Sequence, residues 1–344
     1  GEIRSLNFPI KVRKVGLHPL EVTAIGSVRY QAFDPENELS VVQQPASNRL
    51  TAAGTVETRF FGKLGPVRLE LRPSVRLAWT RAAIRRTSLA GPRDPDTSDF
   101  FPTYRVATAI APLEWLAFRG SVSSGTKLPS ILQLFGNGST VVPNPLLVPE
   151  QSLSYDGGIT ARGHGGMVSG YVSLGAFGAQ IDDMIRFSRT SQFTLIAQNI
   201  DAGRTRGVEL ELRGGVTRHF ILQAETTWTQ AVDEATGNQL PGQPEWVAFA
   251  QPEAHSGTLS NQVTVNIGFI PASYIGKSYA DPTNLIEIRA RTVLATGIGV
   301  DMFEARLGLS FRVDDLLDVR GDDLLGFPLP GRRYTGRLSF RHTW

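Results

Sequence analysis

Six arginines near the end of the chain, Arg289, Arg291, Arg306, Arg312, Arg337 and Arg341, each fall where polar and apolar residues alternate. On three successive strands they would share one wall, where guanidinium groups can pair with carboxylates or guide an anionic substrate. The same pattern also fits a charge ladder, with arginine facing Glu287 and Glu304 across strands to stiffen a wet surface. Lys127, Asn137 and Asn144 lie in one long connecting stretch and are further candidates for ligand contact. Nothing else has a catalytic pattern. The five histidines (His18, His164, His219, His255 and His342) are scattered, no two at metal-ligand spacing, and cysteine is absent. Ser123 and Ser124 before Gly125 lack the context of a nucleophile elbow. Gly163-His-Gly-Gly166 reads as a turn, and the pairs Asp182-Asp183, Asp314-Asp315 and Asp322-Asp323 read as solvated loop carboxylates before calcium ligands. No enzyme, cofactor or resident metal is expected.

The elements that must position these residues are strands. In the last eleven residues Tyr334, Gly336, Leu338, Phe340, His342 and Trp344 share one face, while Thr335, Arg337, Ser339, Arg341 and Thr343 share the other. The alternation recurs. Val67, Leu69, Leu71, Val75, Leu77 and Trp79 oppose Arg68, Glu70, Arg72, Ser74 and Arg76; Leu20, Val22, Ala24, Val28 and Tyr30 oppose Glu21, Thr23, Ser27 and Arg29. Further ladders are expected over 208–213, 286–291 and 303–313, and weaker ones near 52–62, 102–111, 114–126, 152–161, 167–187, 219–231, 244–254 and 259–278. Residues 4–14 complete a count of about fifteen strands, more than a usual sandwich holds. Charges of both signs on every inner face are costly in a dry core and natural in a hydrated lumen.

The chain has 344 residues, 35 of them Gly and 21 Pro, which suits many strands joined by turns. No run of about 18 apolar residues marks a transmembrane helix, a test that a membrane barrel escapes because only alternate residues face lipid. The net charge of +3 is dispersed, so no nucleic-acid partner is expected. Tight connections are expected at 63–66, 111–113, 162–166, 214–218, 255–257 and 299–302, and long ones at 34–51, 86–100, 127–151, 232–243 and 314–332. Short turns at one end and long loops at the other mark a transmembrane antiparallel up-and-down β-barrel, with its final strand descending to the periplasm.

Several stretches resemble the C-terminal barrel of TonB-dependent outer-membrane receptors. Ser124-Gly-Thr-Lys-Leu-Pro-Ser-Ile-Leu-Gln-Leu-Phe135 is similar to the family's "FRAPSFxELF", and Asn144-Pro-Leu-Leu-Val-Pro-Glu150, with Ser152 and Tyr155, to "NPxLxPExSxxYE". Ile181-Asp-Asp-Met-Ile185 resembles "IDDLI", and Asn199-Ile-Asp-Ala-Gly-Arg-Thr-Arg-Gly-Val-Glu-Leu-Glu211 resembles the stretch ending in "RGVELE". Leu240-Pro-Gly-Gln-Pro-Glu245 resembles "LPGRPEH", and Leu316-Leu-Asp318 with Gly326-Phe-Pro-Leu-Pro-Gly-Arg332 resembles "NLLD…GYPLPGR". The matches keep their order over about residues 115–344.

The resemblance implies residence in the bacterial outer membrane, in contact with its lipid, and uptake of a scarce nutrient, most often a ferric siderophore. It also implies a plug energised by the TonB complex, and insertion by the barrel-assembly machinery through a terminal signal, here Leu338, Phe340 and Trp344. Such receptors have about 22 strands around a plugged lumen. The 344 residues leave no room for a plug, so the whole chain is expected to be the C-terminal portion of a barrel, truncated or completed by a companion polypeptide. A passive channel of about 14 strands and a scaffold barrel in a multi-protein envelope complex remain the alternatives.

Overall fold

The computed structural model describes residues 2–17, 19–34, 47–84, 96–137, 140–189, 194–216, 219–254, 258–260, 263–303, 306–324 and 327–341. The described residues are all-β apart from one short helix. The first strands are β1 (Glu2–Leu17), β2 (Leu20–Asp34), β3 (Ser47–Leu64), β4 (Val67–Ile84), β5 (Asp96–Leu113) and β6 (Leu116–Lys127). Helix α1 (Ile131–Phe135) and β7 (Val141–Val142) follow, then β8 (Glu150–Gly165), β9 (Val168–Arg189), β10 (Leu195–Val216), β11 (Phe220–Asp233) and β12 (Trp246–Ala254). Next come β13 (Thr258–Ser260), β14 (Val263–Phe269), β15 (Ala272–Ile275), β16 (Ser278–Tyr279), β17 (Glu287–Ile288), β18 (Arg291–Leu294) and β19 (Thr296–Met302). The chain ends with β20 (Leu307–Asp314), β21 (Asp322–Leu324), β22 (Phe327–Pro328) and β23 (Arg333–Phe340).

Two compact units emerge. One comprises Gly1–Pro112, Arg119–Asp156 and Ala179–Gly203; the other comprises Leu113–Phe118, Gly157–Gly178 and Arg204–Trp344. In the first unit β1 to β5 form an antiparallel meander in which each strand pairs with the next. The register across β2, β3 and β4 places Val28 beside Ala52 and Ala52 beside Trp79 on one face, and Arg29 beside Thr51 and Thr51 beside Thr80 on the other. The apolar face is the exposed one: Val75 keeps 52% of its surface accessible, Phe100 58% and Tyr104 52%. On the opposite face Arg59 bridges Glu21 at 3.3 Å and Glu70 at 2.7 Å, and Arg72 also reaches Glu70.

That inversion decides the fold's environment. Fully covering a large aliphatic or aromatic side chain is worth about 1.5–3 kcal/mol, so a sheet leaving rows of them open needs an apolar surrounding. None of the described residues is a large side chain buried beyond 98%, and the buried apolar residues lie at connections and strand ends rather than between sheets.

In the second unit β11 pairs with β12, β19 with β20 and β20 with β23, all antiparallel. Ile298, Phe311 and Gly336 share one face, where Phe311 stacks diagonally on Tyr334 at 6.4 Å between ring centroids. Arg312 and Thr335 share the other face.

Boundaries differ from the sequence expectations in identifiable ways. The turn expected at 111–113 lies at Glu114–Trp115, because Pro112 is tolerated near the strand's end and pairing continues past it. The one expected at 162–166 is Gly166–Met167, with Gly166 at φ 57°. The one expected at 299–302 follows Met302, where Phe303 turns at φ 54°, so the ladder over 303–313 begins at Leu307. The single strand expected over 259–278 breaks around Ile270–Pro271, where proline supplies no N–H. The tight connections at 214–218 and 255–257 fall partly or wholly outside the described residues.

Candidate functional site

The long connection after β6 is where chemistry-bearing side chains converge. Lys127, the last residue of β6, places Nζ 2.8 Å from Glu150 Oε1, and the Glu150 side chain is 9% exposed. The same carboxylate oxygen accepts the Ile185 amide at 2.8 Å. Lys127 is therefore a structural partner, because its charge compensates a buried carboxylate that would otherwise be costly.

Local sequence explains the turn that follows. Ser130 caps α1 by accepting from the Gln133 amide, and the Gln133 side chain accepts from the Ser130 amide, a reciprocal capping box. Gly136 ends the helix at φ 69°, where an added Cβ would run into the Val141 carbonyl. Asn137 Oδ1 then accepts the Thr140 and Val141 amides at 2.9 and 2.8 Å, an Asx-type closure. β7 lies parallel to the start of β10, Val141 opposite Leu195. Asn144 donates through Nδ2 to the Ala197 carbonyl at 2.7 Å and accepts the Leu146 amide. Both candidate asparagines shape the connection, and each uses its side chain on backbone.

Two residues not singled out as candidates belong here. Asn199 donates to the Val148 and Asp183 carbonyls and accepts the Val148 amide at 3.0 Å. Arg49 donates through Nη1 to the Pro129 carbonyl at 2.6 Å and through Nε and Nη2 to Gln31 Oε1. Asn199 was visible as part of a motif. Arg49 fell inside the long connection expected at 34–51; β3 begins earlier, at Ser47, and sets it on the face of Glu57 and Arg59.

The second unit has its own locked loops. The Asp281 carboxylate accepts the Thr283 hydroxyl and the Thr283, Leu285 and Ile286 amides, which hold it below the usual carboxylate range, the hydroxyl contributing most. Asn284, at φ 57°, exchanges hydrogen bonds with Gln239 in the preceding loop at 2.7 and 2.9 Å. Asp318 accepts the Arg332 amide at 3.0 Å and the Arg320 guanidinium at 2.7 Å; both hold it below its ordinary range, the amide more. Arg332 in turn donates to the Leu316 carbonyl.

The six arginines of the expected wall fall on different elements. Asp281 folds the 281–286 stretch into a loop, so the strand expected over 286–291 splits: β17 pairs with β16 in a separate sheet and β18 pairs with β15. Arg289 stands between them and Arg291 opens β18, while Arg306 occupies a turn and Arg341 follows β23, the Arg341 amide donating to the Arg306 carbonyl at 2.8 Å. Arg312 and Arg337 remain on strands, on one face, and Arg312 reaches Asp314 at 2.6 Å. The expected pairing with Glu287 also differs: its neighbour is Lys277, at 3.9 Å. Glu304 lies outside the described residues. Leu338 and Phe340 stand exposed on the apolar face of β23, and Trp344 is outside the described residues.

A family model described as TonB dependent receptor-like, beta-barrel, matches residues 5–341. The vitamin B12 transporter BtuB of Vibrio vulnificus (strain YJ016) is 27% identical over 238 residues, 67% of this chain and 35% of the transporter. Among solved structures, the copper transporter OprC matches with TM-score 0.77 and 16% identity, over 98% of this chain and 56% of that one. The FrpB iron transporter from Neisseria meningitidis (F3-3 variant) matches at 0.70 and 11%, over 98% and 54%. BauA, the ferric preacinetobactin receptor from Acinetobacter baumannii, matches at 0.68 and 15%, over 98% and 53%. The chain thus spans about a third of that relative and about half of each of these structures.

Proposed function

Because the chain belongs to the TonB dependent receptor-like β-barrel family, we propose that it is the wall and loop system of an outer-membrane receptor for active uptake of a scarce nutrient. The observation that carries this reading is the two-sided sheet, with exposed aliphatic and aromatic rows on one face and paired charges on the other. Lipid covers the first face and water the second. The substrate class we favour is a ferric siderophore or a similar chelate, in keeping with what relatives are named for: vitamin B12, copper, iron and ferric preacinetobactin.

A plug, elsewhere in the same protein or on a companion polypeptide, would fill the lumen and receive force from the TonB complex. The share of each relative that this chain spans leaves room for such a part. The barrel-assembly machinery would insert the wall, reading the strand that carries Leu338 and Phe340 and the terminal Trp344. Arg312 and Arg337, on one face beside Ser310 and Thr335, remain candidates for the lumen wall, while Arg289, Arg291, Arg306 and Arg341 belong to connections or strand ends. We assign no catalytic role to any residue.

The test is uptake of radiolabelled ferric siderophores and cobalamin by cells carrying the whole protein, with and without active TonB. Uptake that needs TonB supports the receptor. Uptake that persists without TonB makes it a passive channel, and none with any chelate makes it a scaffold.

A further inference from the structure

Residues 128–137 and 140–149 have the length of a loop but not the bonding of a mobile one. Mobile segments are poor in buried apolar contacts and rich in solvent-exposed backbone bonds. Here Ile131 and Phe135 are buried on one side, Leu147 packs with Ile185 and Ala197 on the other, and Leu134 touches both clusters. The segment is fastened along its length: by Arg49 to Pro129 at its start, by the parallel pairing of Val141 and Val142 in the middle, and by Asn144, Asn199 and Glu150 at its return.

The first fastening also tells which side it covers. Arg49 shares its face of β3 with Thr51, Glu57 and Arg59, opposite the exposed apolar row of Val56 and Phe60. Pro129 is buried against that polar side. A segment bound there lies on the water-facing surface of the sheet.

We propose that residues 128–137 and 140–149 form a fixed collar over the polar face, held by Arg49, Asn199 and Glu150 as positioning residues. The collar narrows the path on that face at a fixed width, rather than closing over it as a lid. The word "path" rests on the uptake reading; the fixed geometry does not.

The chain has no cysteine, so nitroxide pairs can be placed cleanly. In outer-membrane vesicles containing the whole protein, labels at Leu146→Cys and Thr55→Cys should give one narrow distance distribution. Arg49→Ala combined with Asn199→Ala should widen it at least about two-fold, since the pair removes the hydrogen bond to the Pro129 carbonyl and the two to the Val148 backbone. Arg49→Lys, which can still donate to the Pro129 carbonyl, should restore the narrow distribution in the Asn199 parent. A distribution already broad in the parent overturns the proposal without any variant. So does an unchanged width in the double variant when heat-dependent gel migration shows the barrel folded. If the distribution is narrow but uptake is independent of TonB, the collar stands and the receptor reading falls.

Discussion

At the residue scale, the family-like motifs act mainly as fasteners. Asn199 satisfies both backbone groups of Val148 and the Asp183 carbonyl, so Asn199→Ala leaves backbone donors and acceptors unpaired at the collar's return. The expected cost is about 1–3 kcal/mol, read as faster limited proteolysis between residues 140 and 149, with the remaining strands still protected. Asp318 supports a pH prediction. Its folded pKa lies below the unfolded value, so its contribution is fully present above the ordinary carboxylate pKa and is lost as pH falls through the lower folded value. The protection of the Arg332 amide, taken relative to intrinsic exchange at each pH, should therefore be high at neutral pH and fall on acidification; Asp318→Asn should lower it at both. These roles were only half legible. Asn144 and Asn199 stood out by motif, but Arg49 and the Pro129 carbonyl are 80 residues apart, and local periodicity says nothing about which distant segments meet.

Elements were read more securely than their ends. In β4 the alternation assigns Leu69, Leu71, Val75 and Leu77 to one face and Glu70, Arg72, Ser74 and Arg76 to the other, and the pairing with β3 and β5 follows that parity. The rule breaks where a single side chain redirects the backbone, as Asp281 does by capping three amides and splitting the strand expected near Arg289. Face assignment predicts an asymmetric response to charge. Val75→Arg or Leu77→Arg should cost about 2–4 kcal/mol near the bilayer centre and sharply reduce the heat-modifiable folded fraction. Ser74→Arg, one residue away on the polar face, should be tolerated. Gly136→Ala tests the collar's first turn: at φ 69°, with the Val141 carbonyl in the way, even a methyl group should loosen the segment without unfolding the strands.

For the whole molecule, two-sidedness distinguishes this protein from a soluble sheet. A sandwich hides its aliphatic rows between layers, whereas here Val56, Phe60, Val75, Leu77 and Tyr104 are open and the charges face one another across the strands. The proposed membrane setting accounts for that arrangement, with hydrocarbon on one side and water on the other. The most direct measurement is solvent accessibility along β4 in native outer-membrane vesicles, with single nitroxides placed in turn at residues 69 to 77. Collisions with oxygen, which concentrates in lipid, should peak at 69, 71, 75 and 77, and collisions with a water-soluble nickel chelate at 70, 72, 74 and 76. A flat profile, or the two reagents exchanging phase, would contradict the account.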